Sequence, residues 1–176
     1  MSAQGYLEEK MPEKQQEKQD MGKMRALTNE EIVEVLSGPI IARLGTVKPD
    51  GSPYVTPIWQ EYDGEAVYIV PRAKARFMKY IQNNPRICLH CAIDEVPFTR
   101  VLFEGQAEIV AGPVALEGEM LELGRRLARR YLGEHGPTYL EDSKDRPRYL
   151  VKLVPEKITS WDGVEWHPKY LDENDK

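Results

Sequence analysis

TVKPDGSPYVTPIWQEYDGEAVYIVPRAKARFMKYIQNNPR, residues 46–86, decides the fold. It holds two strand–turn–strand signals, in which β-branched and aromatic runs are joined through Pro49-Asp50-Gly51 and Asp63-Gly64. Such residues turn the chain at little steric cost and favour hairpins. Four basic residues, Arg72, Lys74, Arg76 and Lys79, then crowd the mouth of a short helical pattern. A helix N-terminus presents unpaired N–H groups and a partial positive charge, so it attracts anions. Arginine adds a two-pronged grip on phosphate, and lysine adds a compact charge. The stretch therefore reads as a phosphate seat at the end of a β-meander.

Outward from this stretch the β pattern continues. IIARLGTV (40–47), SPYVTPIWQEY (52–62), EAVYIV (65–70), RICLHCAI (86–93), TRVLFEGQAEIV (99–110), RYLVKLVP (148–155) and KITSW (157–161) all read as strands. Many short strands with tight turns predict an antiparallel barrel or sandwich, mainly β with helices, in the α+β class. Pro53 and Pro57 cannot donate to a sheet ladder, which marks their strand as an edge or a bulge. Backbone near Pro57 is thereby left to face a ligand, and Trp59 is placed either on a flat ring or in the core. Two longer helices are expected, Ala73 to Asn84 and Val114 to Leu132. One face of the second carries Arg125, Arg126, Arg129 and Arg130. It reads first as a solvated face, and second as a contact for an acidic cofactor tail or a neighbouring subunit.

The boundaries come from the same patterns. Thr28-Asn29-Glu30-Glu31 is a capping box that starts a helix. Residues 27–166 form one domain, 1–26 form a polar tail or an arm over a partner, and 167–176 form a C-terminal tail. A chain of 176 residues with 41% apolar content suits one core. Domains commonly span roughly 100–200 residues. The net charge of −5 argues against a nucleic-acid partner. No apolar run nears the ~20 residues a membrane span needs, nor resembles a secretory signal, so a soluble cytoplasmic protein is expected.

Catalytic patterns are sparse. Cys88 and Cys91 have CxxC spacing, but in a strand a separation of three sends the thiols to opposite faces. Together with His90 they read as ordinary core or half-buried residues. His90, His135 and His167 lack metal-ligand spacing, and no serine lies in a nucleophile motif. GxGxxG and GxxxxGK[ST] loops are both absent. Any chemistry is thus expected from a bound cofactor.

The order ARLGTVKPDGSPYVTPIW, YIVPRAKARFMKYIQNNPRICL, VLFEGQAEIV and PEKITSWDG resembles the pyridoxamine phosphate oxidase-like proteins, from about Leu27 to Trp166. The resemblance implies a flavin-binding split β-barrel, and a homodimer with two cofactor sites at the subunit interface. It implies that the backbone of Val55, Thr56, Pro57, Ile58 and Trp59 lies along the flavin ring. Val70, Pro71, Arg72, Lys74, Ala75 and Arg76 would hold the phosphate, with Lys79 beside them. Trp161 would reach the site from the partner chain, and Arg100 would approach the ring.

Two departures narrow this. No R-x-H-D-R motif follows Trp161, where the chain reads WDGVEWHPKYL, so vitamin B6 oxidation is not expected. Ala75 replaces the usual serine before the phosphate-binding arginine. The Ala-Lys-Ala-Arg form and the arginine-rich helix are similar to the branch with deazaflavin-dependent reductases. The leading expectation is an oxidoreductase passing hydride between FMN, or alternatively a deazaflavin coenzyme, and a small organic substrate. The competing expectations are a non-enzymatic flavin carrier, a sensor or a haem binder, with His90, His135 or His167 as axial ligand, and a split-barrel dimer with an empty pocket.

Overall fold

A computed structural model of the chain describes residues 24–164. The expected C-terminal tail, His167, and residues 1–23 of the expected N-terminal tail lie outside the described residues. The described fold includes residues before Leu27. The Arg25 backbone exchanges two hydrogen bonds with Asp162, and its guanidinium reaches Glu31 at 2.9 Å.

The elements are α1 (Asn29–Ser37), β1 (Ala42–Val47), β2 (Pro53–Ile58), β3 (Glu61–Tyr62), β4 (Val67–Ile69), α2 (Arg76–Asn83), β5 (Arg86–Ala92), β6 (Arg100–Val114), α3 (Gly118–Leu132), α4 (Gly136–Glu141) and β7 (Arg148–Trp161). The strands form one antiparallel sheet in the order β2-β1-β5-β6-β7-β4-β3. This is the expected mainly β fold with helices, a split β-barrel.

The strand order contains its own closure condition. β2 and β3 are the two edges of the sheet, yet only Trp59 and Gln60 separate them in the chain. Each residue spans at most roughly 3.6 Å, so the sheet has to curl until its edges nearly meet. The single strand expected over 52–62 is therefore two strands, broken where the chain crosses from one edge to the other. The edge position inferred from Pro53 and Pro57 holds for β2.

Several other boundaries are corrected. The segments 148–155 and 157–161 are one strand, with Glu156 bulged out between the pairs Glu104–Lys157 and Gly105–Pro155. A side chain at Gly105 would meet Leu153 and the backbone of Val154 and Glu156, so the bulge needs a glycine opposite it. Val114 closes β6 rather than opening a helix. Residues 72–75 are a turn, because Ala75 N–H bonds back to the Arg72 carbonyl and Ala73 N–H to that of Pro147. α4 is an element that the sequence reading lacks.

The core fills the curl. Leu36 and Ile32 of α1, Phe77, Met78 and Ile81 of α2, and Leu44, Val67, Leu89, Phe103, Val151 and Leu153 of the sheet are all buried. The α1 capping box forms as expected, between Thr28 and Glu31. Cys91 faces the core and burial pushes its thiol up to about 12, whereas Cys88 lies on the other face. Among the described residues no group of His, Cys, Asp and Glu is arranged to hold a metal, and no helix is long and apolar enough to cross a membrane.

α3 is clamped over the seam between the two edges. The Tyr131 hydroxyl lies 2.9 Å from the Ile40 carbonyl and accepts from Gln60 N–H at 3.3 Å. Arg130 donates to the Gln60 carbonyl at 2.9 Å and to Glu61 at 3.1 Å, and Arg126 donates to Glu61 at 2.6 Å. Arg125 pairs with Glu122 and Glu141, and Arg129 with Glu134. The arginine face is thus not merely solvated. Each guanidinium has a carboxylate within its own chain.

Two substitutions test this clamp. The Arg130 and Glu61 side chains are 17% and 15% exposed, so removing the carboxylate strands a largely desolvated guanidinium. Glu61→Gln is expected to lower unfolding free energy by about 2 kcal/mol, seen as a lower denaturant midpoint at unchanged slope. Gly136 lies so close to α3 that a Cβ would run into the Ala128 carbonyl. Gly136→Ala is expected to cost about 1–3 kcal/mol by forcing α4 off α3, read in the same titration.

Candidate cofactor site

A cavity of about 580 Å³ opens where three parts of the fold meet. One wall is the end of β2, with Pro57, Ile58 and Trp59. A second is the segment after β4, with Val70, Pro71, Arg72, Lys74 and Ala75, together with Phe77 of α2. The roof is Leu116 with α3 and α4, through Gly124, Leu127, Tyr139 and Leu140. Small-molecule sites commonly enclose roughly 300–1,000 Å³ behind mostly apolar walls. This one has the size and the walls.

The aromatic wall follows from the seam. Trp59 cannot continue β2, because the chain turns toward β3 there. Its ring stacks on Tyr131, with centroids 5.2 Å apart and planes 5° from parallel, and it meets Tyr139 edge-on at 6.3 Å. Trp59 is therefore fixed by the roof helices while also lining the cavity.

The cationic end is built differently. β4 stops at Ile69, and Pro71 leads the chain across the start of β7. The Pro71 carbonyl accepts from Tyr149 N–H at 3.0 Å, and the Pro147 carbonyl accepts from Ala73 N–H at 2.8 Å. These bonds set Arg72 and Arg148 opposite each other in an antiparallel bridge. Arg72, Arg148 and Lys74 all line the cavity. Arg72 donates to the Tyr139 hydroxyl at 2.7 Å. Arg148, only 7% exposed, donates to Ser143 Oγ at 3.2 Å, and its Nε has no partner. Burial, and then the charge of Arg72, holds the Arg148 guanidinium below the ordinary arginine range. Arginine stays charged at neutral pH regardless.

No Asp or Glu lines the cavity, and none pairs with Arg72, Lys74 or Arg148 among the described residues. Two arginines and a lysine thus line one cavity with apolar walls and, among the described residues, have no carboxylate partner. That donor set fits a phosphate-bearing ring system. Ala75 at the N-cap of α2 offers no side-chain acceptor, so the cap does not compete for the first-turn N–H groups.

The cavity gathers eight of the expected residues: Pro57, Ile58, Trp59, Val70, Pro71, Arg72, Lys74 and Ala75. Others lie elsewhere in the single chain. Val55 is 65% exposed and lines a separate surface cleft with Gly45 and Cys88. Thr56 pairs with Leu44, and Arg76 and Lys79 are exposed on α2 without lining the cavity. Arg100 faces Trp161 across β6 and β7, its guanidinium 5.8 Å from the ring centroid. His90 stands near that ring at 6.5 Å, and burial first, then Arg43 and Arg100, pushes its pKa down. Tyr139 and Arg148 are site residues that the sequence reading missed.

The sequence profile of the family described as Pyridoxamine 5'-phosphate oxidase matches residues 28–162. A comparison with curated proteins gives no match. Among solved structures, the conserved hypothetical protein Rv2991 from Mycobacterium tuberculosis is similar at 27% identity and TM-score 0.64, over 80% of this chain and 89% of that one. An F420 reductase is similar at 24% and 0.58, over 72% and 94%. HutZ, a haem storage protein from Vibrio cholerae, is similar at 22% and 0.58, over 78% and 97%. The last two likenesses show the fold alone. The chain belongs to the pyridoxamine 5'-phosphate oxidase family.

Proposed function

We propose that this member of the pyridoxamine 5'-phosphate oxidase family is an oxidoreductase that uses FMN or a deazaflavin coenzyme to transfer hydride to or from a small organic substrate. The observation that carries the reading is the cationic end of the cavity, which faces an apolar slot and has no carboxylate of its own. Arg72 and Lys74 would hold the cofactor phosphate, and the Pro57–Trp59 backbone would lie along the ring. Val70, Pro71 and Ala75 would wall the chain between them. The bound ring supplies the two-electron chemistry.

What the chain itself contributes is binding, orientation and exclusion of water. Ile41, Phe77, Leu116, Leu127 and Leu140 give the cavity a dry lining, in which charge–phosphate contacts are stronger than in water. No carboxylate or histidine lines the cavity to act as acid or base among the described residues. The substrate class is not the vitamin B6 phosphate, since the chain lacks the expected R-x-H-D-R grip after Trp161.

A homodimer belongs to the same reading. Arg100 and Trp161 do not line the cavity of their own chain, and the reading places Trp161 of the partner subunit at its open side. The haem-carrier alternative has less support at this cavity, because among the described residues no His, Cys or Met lines it to serve as an axial ligand; His167 lies outside those residues.

The absorption spectrum of the purified protein, followed by equilibrium dialysis, tests the reading. FMN or the deazaflavin coenzyme is expected to bind. Lys74→Ala is expected to weaken binding at least tenfold, about 1.4 kcal/mol. Absence of binding by either cofactor would sink the proposal, and a haem band without a flavin band would favour the carrier.

A further inference from the structure

We infer that Arg148 is the buried anion-binding residue of the cavity, closing with Arg72 on the phosphate of the bound ligand. The inference rests on the flavin reading for the ligand's identity, but its chemistry is that of a phosphate monoester in general.

Three observations carry it. Arg148 is only 7% exposed, and among the described residues its side chain meets only neutral hydroxyls, donating to Ser143 Oγ with the Tyr139 hydroxyl beside it. A buried guanidinium without a counter-ion is strongly unfavourable unless something else supplies one. Its unpartnered Nε leaves a donor site unused, although buried donors are almost always satisfied. Arg72 stands opposite it in the bridge, and like charges in facing positions repel.

The neighbours explain why the pair persists. Backbone bonds on both sides, from Ala73 to Pro147 and from Tyr149 to Pro71, hold the two arginines in place. The remaining side-chain contacts, Tyr139 with Arg72 and Ser143 with Arg148, come from neutral hydroxyls. A dianion between the two guanidinium groups would remove the repulsion, use the idle Nε and gain a contact from Lys74. The α3 arginines make the contrast, since each of them is matched by a carboxylate.

The competing account is structural, with Arg148 merely pinning Ser143 in the turn after α4. Arg148→Met separates the two. If Arg148 binds the anion, the variant without ligand melts at or above the temperature of the native protein, because an unpaired buried charge is gone. It also binds FMN at least tenfold more weakly while its affinity for riboflavin, which lacks the phosphate, is unchanged. Arg148→Lys restores part of the FMN affinity. Inorganic phosphate raises the melting temperature of the native chain above that in chloride of equal ionic strength, and leaves Arg148→Met unmoved.

Equal losses of FMN and riboflavin affinity together with a lower melting temperature would overturn the inference in favour of the structural role. So would native FMN affinity in Arg148→Met. If Arg148→Met fails to fold, the Arg148→Lys affinities and the phosphate effect on the native chain decide. If the native protein binds neither flavin nor deazaflavin, the proposed function fails and the phosphate experiment still judges Arg148 on its own.

Discussion

The seam at Trp59 and Gln60 constrains the rest of the molecule. The chain must pass from one edge of the sheet to the other in two residues, and this passage breaks the ladder. Backbone groups at the break need partners, because an unpaired buried carbonyl or N–H is costly. α3 supplies them through Tyr131 and Arg130, and Gln60 reaches the Leu36 carbonyl of α1. The helix that heals the seam is the helix that roofs the cavity. Barrel closure and site construction are therefore one event, and Trp59 belongs to both.

The arginines divide along this line. Those of α3 complete the fold, each beside a carboxylate, and Glu61 serves two of them at once. Those at the cavity, Arg72 and Arg148, have only hydroxyl partners. A chain of net charge −5 has acidic residues to spare, so the missing carboxylate is a property of the site and not of composition. Local positive potential in an apolar slot, set within an acidic protein, is the charge pattern that the proposed phosphate-bearing ligand requires.

Much of the frame was legible because it is local. The Thr28 capping box, the turns with Gly51 and Gly64 at positive φ, and the basic mouth of α2 each follow from neighbouring residues. The crossing at Trp59–Gln60 was not, since nothing in 52–62 says that its two ends pair with different strands. Arg148 was hidden because its face of β7 is covered by distant elements. Tyr149, Val151 and Leu153 face the barrel core, so strict alternation turns residue 148 to the other face, which the sequence reads as solvent. There Leu150 packs against the α3 and α4 cluster and Arg148 meets Ser143, contacts that no local pattern in 148–155 announces. α4 has only six residues and carries Gly136 and Pro137, which reads locally as a turn. Arg100 and Trp161 came from the family resemblance, and one chain alone leaves them outside the cavity.

The central claim is that a phosphate-bearing ring ligand completes this cavity's charge. A crystal structure of the full chain with FMN or the deazaflavin coenzyme tests it most directly. The account predicts the phosphate among Arg72, Lys74 and Arg148, with the ring against the Pro57–Trp59 backbone. A ligand whose phosphate lies elsewhere, leaving Arg72 and Arg148 facing each other with no anion between them, would contradict it.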